Sequence, residues 1–208
     1  MKRIDPTQGP RADLYAHFRG FAQPLYTLCA RVDVGPVLAR GRAQGGGTFA
    51  VLLRQAMAAA NAVPQLRQRI RVEAGAEVVV EHERVHCTCT VARADESFQF
   101  CWFPFLEGRL ESYTDTPARA RVAAASEGLD LGQQGRDDLL YLTCIPWLDF
   151  TQIQHAESGF ELDCVPRIAW GKLVEGHVTF CLTSHHSLVD GRHAARFFER
   201  LTDPELDP

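Results

Sequence analysis

Lysine is nearly missing from this chain: of 22 lysine and arginine residues, only Lys2 and Lys172 are lysine. Against them stand 26 aspartates and glutamates, giving a net charge of −4. A nucleic-acid binder normally carries a basic face, so no nucleic-acid partner is expected. An anionic ligand would have to be met by a few well-placed cations, which makes Lys172 the lysine to watch. Long hydrophobic runs are also missing. No apolar stretch approaches the roughly 18 residues of a membrane-crossing helix, and Met1-Lys2-Arg3-Ile4-Asp5-Pro6 lacks the apolar segment of a signal peptide. The expectation is a cytoplasmic protein with no membrane partner. Metal-binding cysteine spacing is missing too. The seven cysteines are scattered, and Cys87-Thr88-Cys89 is their closest pair, without the two-residue gap of a zinc knuckle. An odd number in apolar, strand-like surroundings reads as free core thiols, with no metal.

What is present is an ordinary globular composition, 46% hydrophobic and 23% charged, over 208 residues. That supports a single domain spanning residues 1–208. Arg11 to Phe21 reads as an amphipathic helix with Leu14, Tyr15, Phe18 and Phe21 on one side. Leu25 to Val34 reads as a strand ended by Gly35-Pro36. After Gly45-Gly46-Gly47, which lacks the lysine and hydroxyl of a phosphate loop, Thr48 is placed to cap a helix to about Ala62. Strand signals follow at 69–72, 77–82, 85–91 and 97–104, then a helix from Thr116-Pro117 to about Ser126 and a polar loop at 132–138. Strands are expected at 139–145, 168–174 and 177–183, the last two joined by a Glu175-Gly176 turn, and a helix closes the chain from about Arg192 to Leu201. The pattern is α+β: a two-layer sandwich of a large mixed β-sheet with packed helices.

The strongest chemical signal is Thr183-Ser184-His185-His186-Ser187-Leu188-Val189-Asp190-Gly191. A strand ends in paired histidines, and Asp-Gly turns the chain into a helix. An unprotonated imidazole exposed at such a corner can take a proton from a hydroxyl or thiol. Strand alternation sends the two rings to opposite faces, so one of them is the candidate base. Spacing alone leaves a purely structural pair of histidines open.

His186-x-x-x-Asp190-Gly191 resembles the signature of the coenzyme A-dependent acyltransferase superfamily. Further blocks make the likeness closest to the chloramphenicol acetyltransferases: Val63 to Ile70, Pro146-Trp147-Leu148-Asp149-Phe150-Thr151, Trp170-Gly171-Lys172, Gly191 to Phe197, and the Arg11 to Arg19 stretch. The resemblance runs in order along nearly the whole chain. Relatives built as two fused units are about twice this size, and dihydrolipoyl acyltransferases normally carry a lipoyl-bearing region upstream.

The resemblance implies acetyl-CoA as co-substrate, a small-molecule hydroxyl acceptor, and a homotrimer with inter-subunit active sites, with antibiotic resistance as the associated role. It casts His186 as general base, its tautomer fixed by its own backbone carbonyl. Asp190 becomes a structural partner of Arg11, expected as a buried pair. Thr143 stands where the family has a serine that donates to the oxyanion, and Lys172 lies on the CoA side. For the acceptor pocket the matching positions are His17, Phe18, Ala22, Phe103 and Ala169, with Trp102 beside Phe103. Here the chain departs from the pattern: an aromatic has become His17, a leucine Ala22, a cysteine Pro24 and a hydroxyl residue Ala169. Such changes shift specificity, so other acceptors stay open: a different small alcohol, a thiol, or a catalytically weak ligand-binding homologue.

Overall fold

The computed structural model describes residues 1–105, 115–156 and 162–206. In chain order these form β1 (Lys2–Ile4), α1 (Ala12–Arg19), β2 (Leu25–Asp33), α2 (Gly35–Ala43), α3 (Thr48–Asn61), β3 (Gln68–Glu73) and β4 (Ala76–Glu81). Then come β5 (His86–Ala92), β6 (Phe98–Phe103), α4 (Thr116–Ala125), β7 (Leu139–Cys144), β8 (Arg167–Trp170), β9 (His177–His185) and α5 (Gly191–Leu201). Six strands make a mixed sheet in the order β2-β9-β8-β7-β5-β6, with β5, β7 and β8 parallel and the other pairs antiparallel. β1, β4 and β3 form a smaller antiparallel sheet. The expected mixed α+β architecture is present.

Alternation divides the large sheet into two faces. Leu140 and Leu142, Ile168 and Trp170, and Val178, Phe180 and Leu182 join the main hydrophobic core. That core also holds Leu53 and Met57 of α3 and Phe197 of α5, so these two helices cover this face. The residues between them, among them Tyr141, Thr143, Arg167, Ala169, Cys181 and Thr183, face the other way. α5 is set by a capping box, in which the Asp190 carboxylate accepts the N–H groups of Arg192 and His193 and His193 Nδ1 accepts the Asp190 N–H.

Several sequence expectations shift. The strand ends before Gly35-Pro36 as expected, but that dipeptide opens α2, a helix the sequence did not announce, because proline is tolerated in the first turn of a helix. β1 is too short to carry a periodic signal. Gly47, in extended geometry, takes the cap position of α3, and Thr48 is the first helical residue. β8 stops at Trp170, four residues short of the expected strand, and Val174 and His177 close a two-residue hairpin with positive φ at Glu175 and Gly176. In α1 only Tyr15 is buried, while Leu14 and Phe21 remain exposed.

The expectation of seven free thiols is corrected by the β2–β9 ladder. Cys29 and Cys181 are directly opposed there with Cα atoms 4.1 Å apart, and they form a disulfide. That spacing belongs to the close, non-hydrogen-bonded class of antiparallel pair, which brings facing sulfurs together. The register that opposes these cysteines is not readable from 152 residues of separation. Cys87, Cys89, Cys101, Cys144 and Cys164 remain free. Alkylation of the unfolded, unreduced protein should therefore label five cysteines, and seven after reduction; labelling of all seven without reductant would remove the bond.

Gly171 follows β8 at the point where the chain meets the Pro146–Phe150 turn. A Cβ there would lie 2.8 Å from the Leu148 carbonyl oxygen and 3.2 Å from the Phe150 ring. Backbone cannot give way as a side-chain tip can. Gly171→Ala should lower the unfolding free energy by about 1–3 kcal/mol, seen as a lower denaturant midpoint with an unchanged slope.

Candidate active site

His186 directly follows β9. Its N–H donates to the Pro24 carbonyl at 2.9 Å, continuing the β2–β9 pairing by one bond. The Leu188 and Val189 N–H groups both donate to the His185 carbonyl at 3.0 Å, folding the chain sharply towards α5. The Ser187 hydroxyl donates to the Tyr15 carbonyl, which ties the corner to α1. Arg11 crosses from the start of α1 to pair with Asp190 through Nη1 and Oδ2, and its Nη2 reaches the Ser187 carbonyl. The Arg11–Asp190 pair expected from the sequence is thus formed. It is not buried, however: the two side chains are 28% and 32% exposed.

The His186 ring is held by stacking. Phe18 lies parallel to it with centroids 3.7 Å apart, and Tyr26 stacks at 4.3 Å. The expected hydrogen bond from the ring to its own carbonyl is not formed: Nδ1 is buried and has no partner among the described residues. Aromatic faces and the Pro24 bond orient this imidazole instead. His185 points the other way, is 1% exposed, and accepts the Ser187 N–H on Nδ1. Burial first, and Arg19 second, push its pKa down to about 4, which keeps it neutral and structural.

Thr143 lies elsewhere. It sits on β7 opposite Ala169 of β8, which pairs in turn with Cys181 of β9. His186 is five residues beyond Cys181 and Thr143 two strands away, so at 3.3 Å per residue and 4.8 Å per strand the two are about 19 Å apart. One chain does not bring them to a single substrate. Beyond β7 the Ile145 N–H donates to the Trp170 carbonyl and the Lys172 N–H to the Leu148 carbonyl, both at 2.9 Å, knitting the Pro-Trp turn to the Gly171-Lys172 segment. This junction lines a groove of about 910 Å³ with Thr143, Trp147, Phe49, Lys172 and Arg121 on its walls. On its other side Thr143 lines a cavity of about 310 Å³ with Thr88, Phe100, Trp102, Tyr141 and Gln133.

The remaining expected acceptor residues are divided. Phe18 is at the histidine corner, and the exposed His17 ring packs edge-on to Phe18 and Phe21 at 5.0 Å. Ala22 is exposed just beyond α1. Phe103 is 2% exposed and belongs to the core beside Phe49, and Ala169 is fully buried. On β6 it is Trp102, one residue earlier, whose side chain lines the cavity next to Thr143. The sequence reading passed over Tyr26, Trp102 as the cavity-facing member of its pair, Tyr141 and Arg121. Alternation along β6 and β7 carried the signal for Trp102 and Tyr141.

The fold is thus a mixed sheet covered by helices on one face, with a histidine corner at one end. The model of the chloramphenicol acetyltransferase family matches residues 1–202, and the chain belongs to that family and is an acyltransferase enzyme. Chloramphenicol acetyltransferase of Bacillus pumilus is 23% identical over 207 residues, covering 97% of this chain and 91% of the relative. That of Campylobacter coli is 19% identical over 206 residues, covering 97% and 96%. Among solved structures, a chloramphenicol acetyltransferase superposes with a TM-score of 0.77 at 24% identity, covering 97% of both chains. The dihydrolipoamide acetyltransferase of Azotobacter vinelandii shares the fold at a TM-score of 0.65 and 16% identity, covering 92% of this chain and 84% of that one.

The Arg11–Asp190 tie has a calculable weight. Burial opposes ionisation of Asp190, but His193 and Arg11 outweigh it and hold the carboxyl below its ordinary pKa. Its stabilisation is therefore complete above the ordinary aspartate range and fades as pH falls through the lowered value. Exposure screens the pair, so Asp190→Asn, which keeps a capping oxygen, should cost less than about 1 kcal/mol at neutral pH. Asp190→Ala, which also loses the cap, should cost about 1 kcal/mol more. Denaturant titrations of both variants at neutral pH and at pH 3 read the difference.

Proposed function

We propose that this protein is an acetyl-CoA-dependent O-acetyltransferase that moves an acetyl group to a hydroxyl of chloramphenicol or a related small molecule. The observation that carries the reading is the histidine corner, where His186 is clamped between aromatic faces and anchored through its backbone. His186 takes the proton of the acceptor hydroxyl as its oxygen attacks. Acetyl-CoA, when bound, supplies the thioester. Thr143, where the resembling enzymes have serine, donates its hydroxyl to the oxygen on which negative charge develops. Arg11 and Asp190 are positioning residues that fix the corner.

The groove fits a long anionic ligand. Its walls are mostly apolar, and Lys172 and Arg121 stand exposed on them. In a chain of net charge −4 such local cations are what a coenzyme phosphate requires. The separation of His186 from Thr143 supports a homotrimer in which the histidine of one chain faces the threonine of the next. Exposed Leu14 and Phe21 near the corner, and exposed Trp147 and Leu148 near the groove, suit such contacts.

Purified protein given acetyl-CoA and chloramphenicol should release coenzyme A thiol above background. His186→Ala should lower kcat by about 10²–10⁴-fold without changing acetyl-CoA affinity. His186→Ala and Thr143→Val subunits, each impaired alone, should regain activity when unfolded together and reassembled, since mixed trimers contain sites with both intact residues. No recovery on mixing would place each site within one chain, and full turnover by His186→Ala would remove the base assignment.

A further inference from the structure

Thr143 borders two spaces, and the groove with its cations is only one of them. The other is the cavity of about 310 Å³ on the open face of the large sheet. Strand register builds it. Trp102 of β6 stands opposite Thr88 of β5, and Thr88 stands opposite Tyr141 of β7. The three side chains form one row across neighbouring strands, with an aromatic ring at each end and a small threonine between them. Two strand spacings set the ends about 10 Å apart at the backbone. The rings therefore flank a slot floored by Thr88, and Thr143, two residues along β7 from Tyr141, lines it as well.

Each aromatic wall carries an arginine, and each arginine is tied to an aspartate. The Arg167 guanidinium lies 5.9 Å from the Tyr141 ring centre, and its Nη2 donates to Asp163 at 2.5 Å. The Arg136 guanidinium lies over Trp102, 5.4 Å from the ring centre. Its Nε and Nη2 donate to the two carboxylate oxygens of Asp138, both at 2.8 Å, and its Nη1 donates to Gln133 Oε1 at 2.7 Å. Every nitrogen of Arg136 thus has a protein acceptor, and its charge is held where an indole face attracts it. The His86 ring packs edge-on to the same indole at 6.0 Å, and the His86 N–H donates to the Asp138 carbonyl at 2.8 Å. Asp138 therefore fixes two neighbours of Trp102. The indole needs such support, because among the described strands β6 is the edge of the sheet.

We propose that Arg136 is a positioning residue for the acceptor: pinned by Asp138 and Gln133, it holds the Trp102 indole as one wall of the slot beside Thr143. The inference rests on the acetyltransferase reading. With the acyl donor reaching Thr143 from the groove, the acceptor reaches it from the slot, and the histidine corner of a neighbouring chain closes over it. A wall fixed beforehand spares the acceptor the cost of ordering a side chain as it binds. Arg136 takes no part in proton transfer, so it acts on acceptor binding and leaves the chemical step alone.

The test follows thiol release by the full-length protein with acetyl-CoA and chloramphenicol. Arg136→Gln should raise KM for chloramphenicol about fivefold, with kcat and the KM for acetyl-CoA unchanged. Asp138→Asn, which removes the clamp, should act in the same direction. Trp102→Leu should raise the same KM, and adding Arg136→Gln to it should bring no further rise, because the ring on which the arginine acts is gone. Trp102→Thr, with a residue suited to a strand, gives the same comparison should the leucine variant fail to fold. An arginine that merely stabilised the loop would act equally with and without the ring. That additive result, or an effect falling on kcat or on the KM for acetyl-CoA, would overturn the inference and leave the acetyltransferase reading standing. An unchanged KM in Arg136→Gln would do the same. No thiol release by the unaltered protein would overturn both.

Discussion

The pairing of β2 with β9 is the constraint on which the rest of the site depends. Nine consecutive residue pairs run from Leu25 opposite His185 to Asp33 opposite His177, and the His186–Pro24 bond extends them into the corner. The Cys29–Cys181 disulfide and the 2.7 Å hydrogen bond between the Thr27 and Thr183 hydroxyls cross the same ladder. Because β2 is an edge strand, these side-chain links do what a second neighbouring strand would do for a central one. They hold Tyr26 against His186. A register slip of one residue would turn both Tyr26 and the cysteines to the wrong face.

The corner itself is a compromise between two demands on one short segment. The chain must leave a strand and enter a helix within a few residues, and on the proposed reading it must also present the His186 imidazole to a substrate. Asp190 serves the first demand as helix cap and the second as partner of Arg11. The tie is half-exposed and weak by itself. Its value lies in geometry: it brings α1, and with it Phe18, over the histidine ring. A stacking partner orients an imidazole without consuming either nitrogen, which a hydrogen bond to a carbonyl would do.

Much of this plan was legible in the sequence, and what was not has identifiable causes. The large-sheet strands announce themselves by alternation, and the histidine corner by His186-x-x-x-Asp190-Gly191. Hidden from local patterning were relations between distant segments: the opposition of Cys29 and Cys181, the stacking of Phe18 on His186, and the separation of His186 from Thr143. The pair Trp102 and Phe103 shows a finer limit. Both are aromatic and adjacent, and only the register of β6 against β5 decides that Trp102 faces the cavity while Phe103 fills the core. Gly35-Pro36 illustrates a genuine ambiguity, since the same dipeptide opens a helix or a turn, and the residues that settle it are Val37 and Leu38, which are buried once α2 forms.

On the proposed reading, a site divided over the breadth of a sheet serves a reaction between two unlike substrates. The groove beside Thr143 is long, mostly apolar and marked by cations. The histidine corner is compact and walled by the rings of Phe18 and Tyr26. If both lay on one wall of one chain, each lining would have to serve two incompatible solutes. Placing them at separate ends of the sheet lets each be built for its own ligand, and apposition of a second copy would then bring base and oxyanion donor together. On the proposed arrangement, changes in the acceptor side leave the groove proposed for the acyl donor undisturbed.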